Sequence, residues 1–133
     1  SACGTGGTLA GLILGLDSKH FALGFSVLRS GSFLYQNIRT LLSYYHKENL
    51  NNFQINLDYH FGGYAKTNNI LNNFCAGFYE QHNIQIEPIY TGKMFFGLYD
   101  LIRSNFFPPE STIVAIHTGG LQGLQGLKQR KMI

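Results

Sequence analysis

Gly4-Thr5-Gly6-Gly7-Thr8 leads without a break into Leu9-Ala10-Gly11-Leu12-Ile13-Leu14. Glycine permits positive φ and lets a bulky anion approach the backbone amides closely. The two threonines add hydroxyl donors. The apolar segment reads as a buried helix, so the loop feeds a helix N-terminus. There the free N–H groups and the helix dipole both favour an anion, which makes a phosphate site. The loop is not a Walker motif, since no Gly-Lys-Ser/Thr follows, and its third glycine comes too early for G-x-G-x-x-G. Taken alone, it also fits a tight strand-to-helix turn that holds no ligand.

Working outward, the chain alternates between two periods. Residues 21–27 pair apolar with small residues and read as a strand. Ser30-Gly31-Ser32 breaks it and offers an N-cap. Leu34, Ile38, Leu41, Leu42 and Tyr45 then mark one face of a helix ending near Asn49. Residues 53–58 alternate as a second strand. Thr67 is placed to cap a helix carrying Leu71, Phe74, Cys75 and Phe78. Residues 85–89 read as a short strand, and Thr91-Gly92 turns into a helix with Met94, Leu98, Leu101 and Ile102. Pro108-Pro109 closes that region. Residues 112–117 form a β-branched apolar run and read as a buried strand, followed at once by His117-Thr118-Gly119-Gly120.

This alternation implies an α/β fold: a three-layer parallel sheet with helices on both faces. Ligands in such folds gather at the carboxyl ends of strands. The loops 4–8, 62–64, 90–92 and 117–120 all fall at such ends, so the glycines and hydroxyls share one edge. Leu121-Gln122-Gly123-Leu124-Gln125-Gly126 reads as a short local repeat, not a solenoid period.

Composition sets the bounds. A chain of 133 residues suits one domain, and 44% hydrophobic content supplies a core. Charged residues make up 13% and the net charge is +3. Lys128-Gln129-Arg130-Lys131 is the one basic cluster and reads as a solvated tail, so no nucleic-acid partner is expected. The apolar run Leu9 to Leu16 is too short to span a bilayer, so no membrane partner is expected. Cys3 and Cys75 read as free thiols, which favours a reducing, cytoplasmic setting. Ser1-Ala2-Cys3 reads as the end of a strand, so the chain is expected to be the C-terminal part of a longer protein.

Two further segments join the glycine loop in a resemblance. Glu87-Pro88-Ile89-Tyr90-Thr91-Gly92-Lys93 and Ile116-His117-Thr118-Gly119-Gly120 resemble segments of one family, and Tyr64 precedes Tyr90 by the 26 residues that separate its two active-site tyrosines. The family comprises the 1-aminocyclopropane-1-carboxylate deaminases and D-cysteine desulfhydrases, pyridoxal-phosphate enzymes of fold type II, similar to tryptophan synthase β. The resemblance covers nearly the whole chain and implies the fold type II large domain, incomplete. It implies pyridoxal 5'-phosphate as cofactor, a small amino acid as substrate and a homodimer for the full-length protein. Gly4, Thr5, Gly6, Gly7 and Thr8 would hold the cofactor phosphate. Thr118, beside Gly119, would face the pyridine nitrogen, and Thr91 would belong to the same cofactor site. Tyr64 and Tyr90 would flank the substrate as the catalytic pair.

Two positions separate the subfamilies. The deaminases carry Glu after the second tyrosine and Leu between the His and the Gly pair, where this chain has Thr91 and Thr118. Both departures resemble the desulfhydrase branch. A neutral hydroxyl near the pyridine nitrogen suits β-elimination of a good leaving group, whereas ring opening gains from a carboxylate there. The family's Schiff-base lysine and Ser/Asn-rich substrate loop have no counterpart in these residues, and Lys93 reads as structural. These 133 residues alone are therefore expected to be inactive. A non-catalytic homologue is the first rival reading. A nucleotide-binding oxidoreductase domain is the second, although Val27-Leu28-Arg29 stands where its ribose-binding acid would be. His117 reads as a strand-end histidine satisfied by hydrogen bonds, His20, His46, His60 and His82 as surface residues, and Asp58 and Glu87 as too isolated for an acid/base pair. No metal site is expected.

Overall fold

The computed structural model describes residues 1–129. Arg130 and Lys131 of the basic cluster therefore lie outside the described residues. Three parallel strands form one sheet in the order β1 (Ala2–Cys3), β2 (Ala22–Ser26), β3 (Phe53–Asn56). Ala2 pairs with Phe25, and Ala22 with Phe53. Helix α1 (Gly7–Leu16) links the first two strands, and a 3-10 turn (Gly31–Phe33) with helix α2 (Leu34–Ser43) links the next two. Both helices pack on one face of the sheet. Leu9, Ile13, Leu34, Ile38 and Leu42 are buried there against Ala22 and Ile55.

The opposite face belongs to α4 (Thr91–Arg103), whose Met94, Leu98 and Leu101 meet Ala2, Phe25 and Val27. Strand alternation sends Ala22 to one layer and Phe25 to the other. Helix α3 (Asn69–His82) packs outside α4 through Leu71, Cys75 and Phe78. Gly97 permits the close approach of α4 to the sheet: a Cβ there would lie 2.7 Å from both Phe25 Cε1 and Tyr59 Cδ2. The three-layer parallel architecture is thus as the alternation implies. Both cysteines are free, as expected.

Several local expectations are corrected. Residues 85–89 and 112–117 are not strands; among the described residues the sheet pairings are β1–β2 and β2–β3. In the first segment, the Ile89 amide bonds to the Glu87 carboxylate and the Glu87 amide to Thr91 Oγ1, while Pro88 has no N–H to give. In the second, Thr112 to Ala115 are exposed, Val114 at 77%. β-branched composition favours a strand only where a neighbour completes the ladder. The strands at 21–27 and 53–58 are shorter than their alternation suggests.

Helix α2 stops at Ser43, not near Asn49, because His46 turns left-handed (φ 54°) and the Lys47 amide bonds back to Leu42 O. Asn68, not Thr67, caps α3, its side chain accepting from the Leu71 amide. Ser30 makes no cap hydrogen bond. The local repeat at 121–126 falls in and beside a helix, α5 (Gln122–Gln129).

Candidate functional site

The glycine loop leaves the end of β1 and enters α1 at Gly6, whose φ of 94° is left-handed. Only glycine takes that conformation cheaply. No side chain caps α1, and no acidic residue lies in its first turn. Its first N–H groups therefore have no helical acceptor and point, with the dipole, into the space beyond the loop.

That space is a cavity of about 290 Å³. The whole loop Gly4 to Thr8 lines it, with Tyr90, Thr118, Gly119 and Gly120 on the other side. Loops far apart in sequence thus meet at one sheet edge. Gly4 lies against Tyr90: a Cβ there would come within 3.1 Å of the ring. Among the described residues, none that lines it carries a formal charge, and no lysine is among them. Amide dipoles and the hydroxyls of Thr5 and Thr8 are the means the cavity has for holding an anion. That donor set, with an aromatic ring and a threonine also lining the cavity, fits a phosphorylated aromatic ring such as pyridoxal phosphate.

Tyr64 does not line the cavity but stands at its rim, 56% exposed, its ring edge-on to Tyr90 at 5.8 Å between centroids. The Tyr90 phenol is pushed up to about 12, chiefly by burial, then by the neighbouring Tyr64 hydroxyl and the negative charge of Glu87. Tyr90 therefore keeps its proton at neutral pH.

Thr91 is placed differently from the other candidates. It is fully buried in the first turn of α4, and its hydroxyl donates to Glu87 Oε1 at 3.1 Å. The structure does not bring it to the cavity. Glu87 is the residue that sequence reasoning passed over. It is fully buried, and its carboxylate accepts from the amides of Ile89 (2.6 Å), Tyr90 (3.0 Å) and Thr91 (2.7 Å). Such a carboxylate is stabilised by charge-assisted bonds at a helix N-terminus. It fixes the turn that presents Tyr90, and it also underlies Gly120, whose Cβ would meet Glu87 Oε1 at 3.1 Å. The sequence signal was an acid inside the apolar run Ile86 to Tyr90.

Lys93 is buried, and its Nζ donates to the Gly63 carbonyl at 2.7 Å. His117 is likewise satisfied, with Nε2 on the Gln85 carbonyl at 2.9 Å and Nδ1 accepting from the Gly119 amide. Among the described residues no group of three His, Cys, Asp or Glu could hold a metal, and no helix is long and apolar enough to cross a membrane.

No family model matches the chain. A Pyrococcus horikoshii protein, named provisionally as a 1-aminocyclopropane-1-carboxylate deaminase, is 33% identical over 130 residues, 92% of this chain and 39% of that protein. A mitochondrial protein of Arabidopsis thaliana, named bifunctional D-cysteine desulfhydrase/1-aminocyclopropane-1-carboxylate deaminase, is also 33% identical over 130 residues, 92% of this chain and 32% of its own length. The crystal structure of an ACC deaminase homologue superimposes with a TM-score of 0.82 at 29% identity, over 98% of this chain and 42% of that one. The chain thus spans less than half the length of the relatives it matches.

Proposed function

Because the chain belongs to the family of 1-aminocyclopropane-1-carboxylate deaminases and D-cysteine desulfhydrases, we propose that it is the C-terminal portion of a pyridoxal-phosphate lyase acting on small amino acids. The reaction we assign to the complete protein is desulfhydrase-like: D-cysteine and water give pyruvate, ammonia and sulfide. The observation that carries this reading is the convergence of an uncapped helix N-terminus, the Tyr64–Tyr90 pair and the Thr118 loop on one cavity.

Pyridoxal phosphate, when bound, supplies an electron sink for the substrate carbon beside its carboxylate. The chain's own residues do the rest. Gly4 to Thr8 hold the phosphate through amides and hydroxyls. Thr118 offers a neutral hydroxyl to the ring nitrogen. Gly119, with φ of 90°, lets that loop turn inward. Tyr90, still protonated, holds a proton at Oη where it can be given to a departing or carbanionic atom, and Tyr64 stands edge-on beside it as the second phenol of the pair. The cofactor's anchoring lysine is assigned to the part of the protein outside these residues.

Thr118 favours elimination of sulfide over opening of a cyclopropane ring. The test is to assay the complete protein with D-cysteine for equal release of sulfide and pyruvate, and with 1-aminocyclopropane-1-carboxylate for 2-oxobutyrate. D-cysteine is expected to be the better substrate. Efficient ring opening with Thr118 intact would assign the deaminase activity instead, and no turnover of either would leave a non-catalytic homologue.

A further inference from the structure

Helix α4 begins beside Tyr90 at the cavity, and two buried ionisable groups lie at its start, Glu87 from the preceding turn and Lys93 from the helix itself. Glu87 fixes Tyr90 through the amide hydrogen bonds described above. Tyr64 is largely exposed on the loop that follows β3, where a turn closed by the Lys66 amide on the Gly63 carbonyl spans it but nothing in that turn orients it toward α4. We infer that Lys93 is a positioning residue for the catalytic pair: its ammonium, bonded to the Gly63 carbonyl, sets the adjacent Tyr64 against Tyr90.

The geometry supports this in three ways. Gly63 is itself buried and has a φ of 123°, so the backbone next to Tyr64 has little freedom once its carbonyl is held. Lys93 lies three residues from Tyr90 on one rigid element, so a single helix start carries one tyrosine and tethers the other. A buried cation costs far more than a methylene chain of equal volume. Core filling alone would be served better by Met or Leu, so what the ammonium adds is the bond to Gly63. Burial lowers Lys93 to about 8, which measures that cost, while Glu87 offsets part of it.

The inference rests on the functional reading for what the pair acts upon, but its test needs neither substrate nor cofactor. The protein, as its gene encodes it, is labelled with 3-fluorotyrosine and followed by fluorine NMR. Tyr64→Phe and Tyr90→Phe assign the two signals. Lys93→Met keeps the stem and removes the donor. The Tyr64 and Tyr90 signals are expected to move, while those of Tyr35 and Tyr44, on the far side of the sheet, hold. In the active enzyme kcat should fall by roughly 10- to 100-fold with KM nearly unchanged, as for a misplaced reacting group. If Lys93→Met does not fold, Lys93→Gln, with a shorter donor, should show the same selective shift. A folded variant whose two signals stay in place overturns the inference, and so does a uniform shift of all tyrosines with a lower thermal midpoint. A protein inert toward both amino acids whose pair is nonetheless displaced sinks the function and leaves the positioning standing.

Discussion

Tyr64 and Tyr90, separated by a helix and two loops, meet edge to face with their ring centroids 5.8 Å apart. The contact unites an exposed loop with the first turn of α4. It also bears on the ionisation of Tyr90. Its phenol is raised from 10 to about 12, first by burial and then by the neighbouring Tyr64 hydroxyl. Tyr64→Phe removes that hydroxyl and leaves the burial. Tyr90 is therefore expected to titrate lower in the variant, but still above an ordinary phenol. The ultraviolet phenolate band across alkaline pH measures this, and an unchanged titration would show that the two hydroxyls do not interact.

Lys93 gives a pH dependence with a definite sign. Its folded-state value of about 8 lies below the ordinary 10.5. Between those values the unfolded chain holds the proton more tightly than the folded one. Stability from this group therefore rises with pH through that window, and the penalty is fully present below about 8. The urea midpoint of the wild type, relative to Lys93→Met, should climb from neutral pH toward pH 10. A flat difference would place the amine in a solvated site.

Gly6→Ala tests the loop. The residue must take φ of 94°, and its Cβ would lie 3.0 Å from Ile38 Cγ1. The strain should cost about 1–3 kcal/mol, read by denaturant unfolding. Affinity for inorganic phosphate or pyridoxal phosphate should weaken as well, since the amides turn away from the cavity. Retained affinity would move the anion site elsewhere.

Gly97→Ala tests the helix-to-sheet contact. Its Cβ would press on Phe25 and Tyr59 at 2.7 Å. Overpacking of this kind costs about 1–3 kcal/mol, so the thermal midpoint should fall while the cavity residues hold their places. Wild-type stability in this variant would mean that α4 slides freely on the sheet.

For residues 1–133 on their own we expect no turnover of D-cysteine. Among the described residues no lysine lines the cavity, and Lys93 Nζ is committed to Gly63. Borohydride treatment with pyridoxal phosphate should leave no stoichiometric lysine adduct. A specific adduct at Lys93 accompanied by pyruvate release would give that lysine the anchoring role denied to it here.

The features legible in the sequence were those governed by local rules. The glycine loop, the helical faces of α2 and α3 and the pairing of Tyr64 with Tyr90 all follow from spacing or from a matched motif. What escaped it depends on partners. Residues 112–117 have the composition of a central strand, but a ladder needs a neighbour that composition does not name. Thr91 looked like a cavity residue because it follows Tyr90, and only the fold shows its hydroxyl bonded to Glu87. Glu87 itself looked isolated because its partners are chiefly backbone amides, which leave no mark on residue spacing. The helix at Gln122–Gln129 was concealed by glycines at 123 and 126, although Leu121, Leu124 and Leu127 keep a three-residue period.

The absence of a ladder along 112–117, among the described residues, makes the two walls of the cavity unequal in stiffness. The wall at Gly4 to Thr8 grows directly from a hydrogen-bonded strand. The wall at Thr118 to Gly120 hangs from side-chain contacts, His117 on the Gln85 carbonyl and Gly120 against Glu87. Backbone held this way opens at lower free energy than sheet backbone, so its amides should exchange with deuterium well before those of β2. A ligand seated between the walls would slow that exchange on one side alone, and part of its binding energy would go into ordering that side.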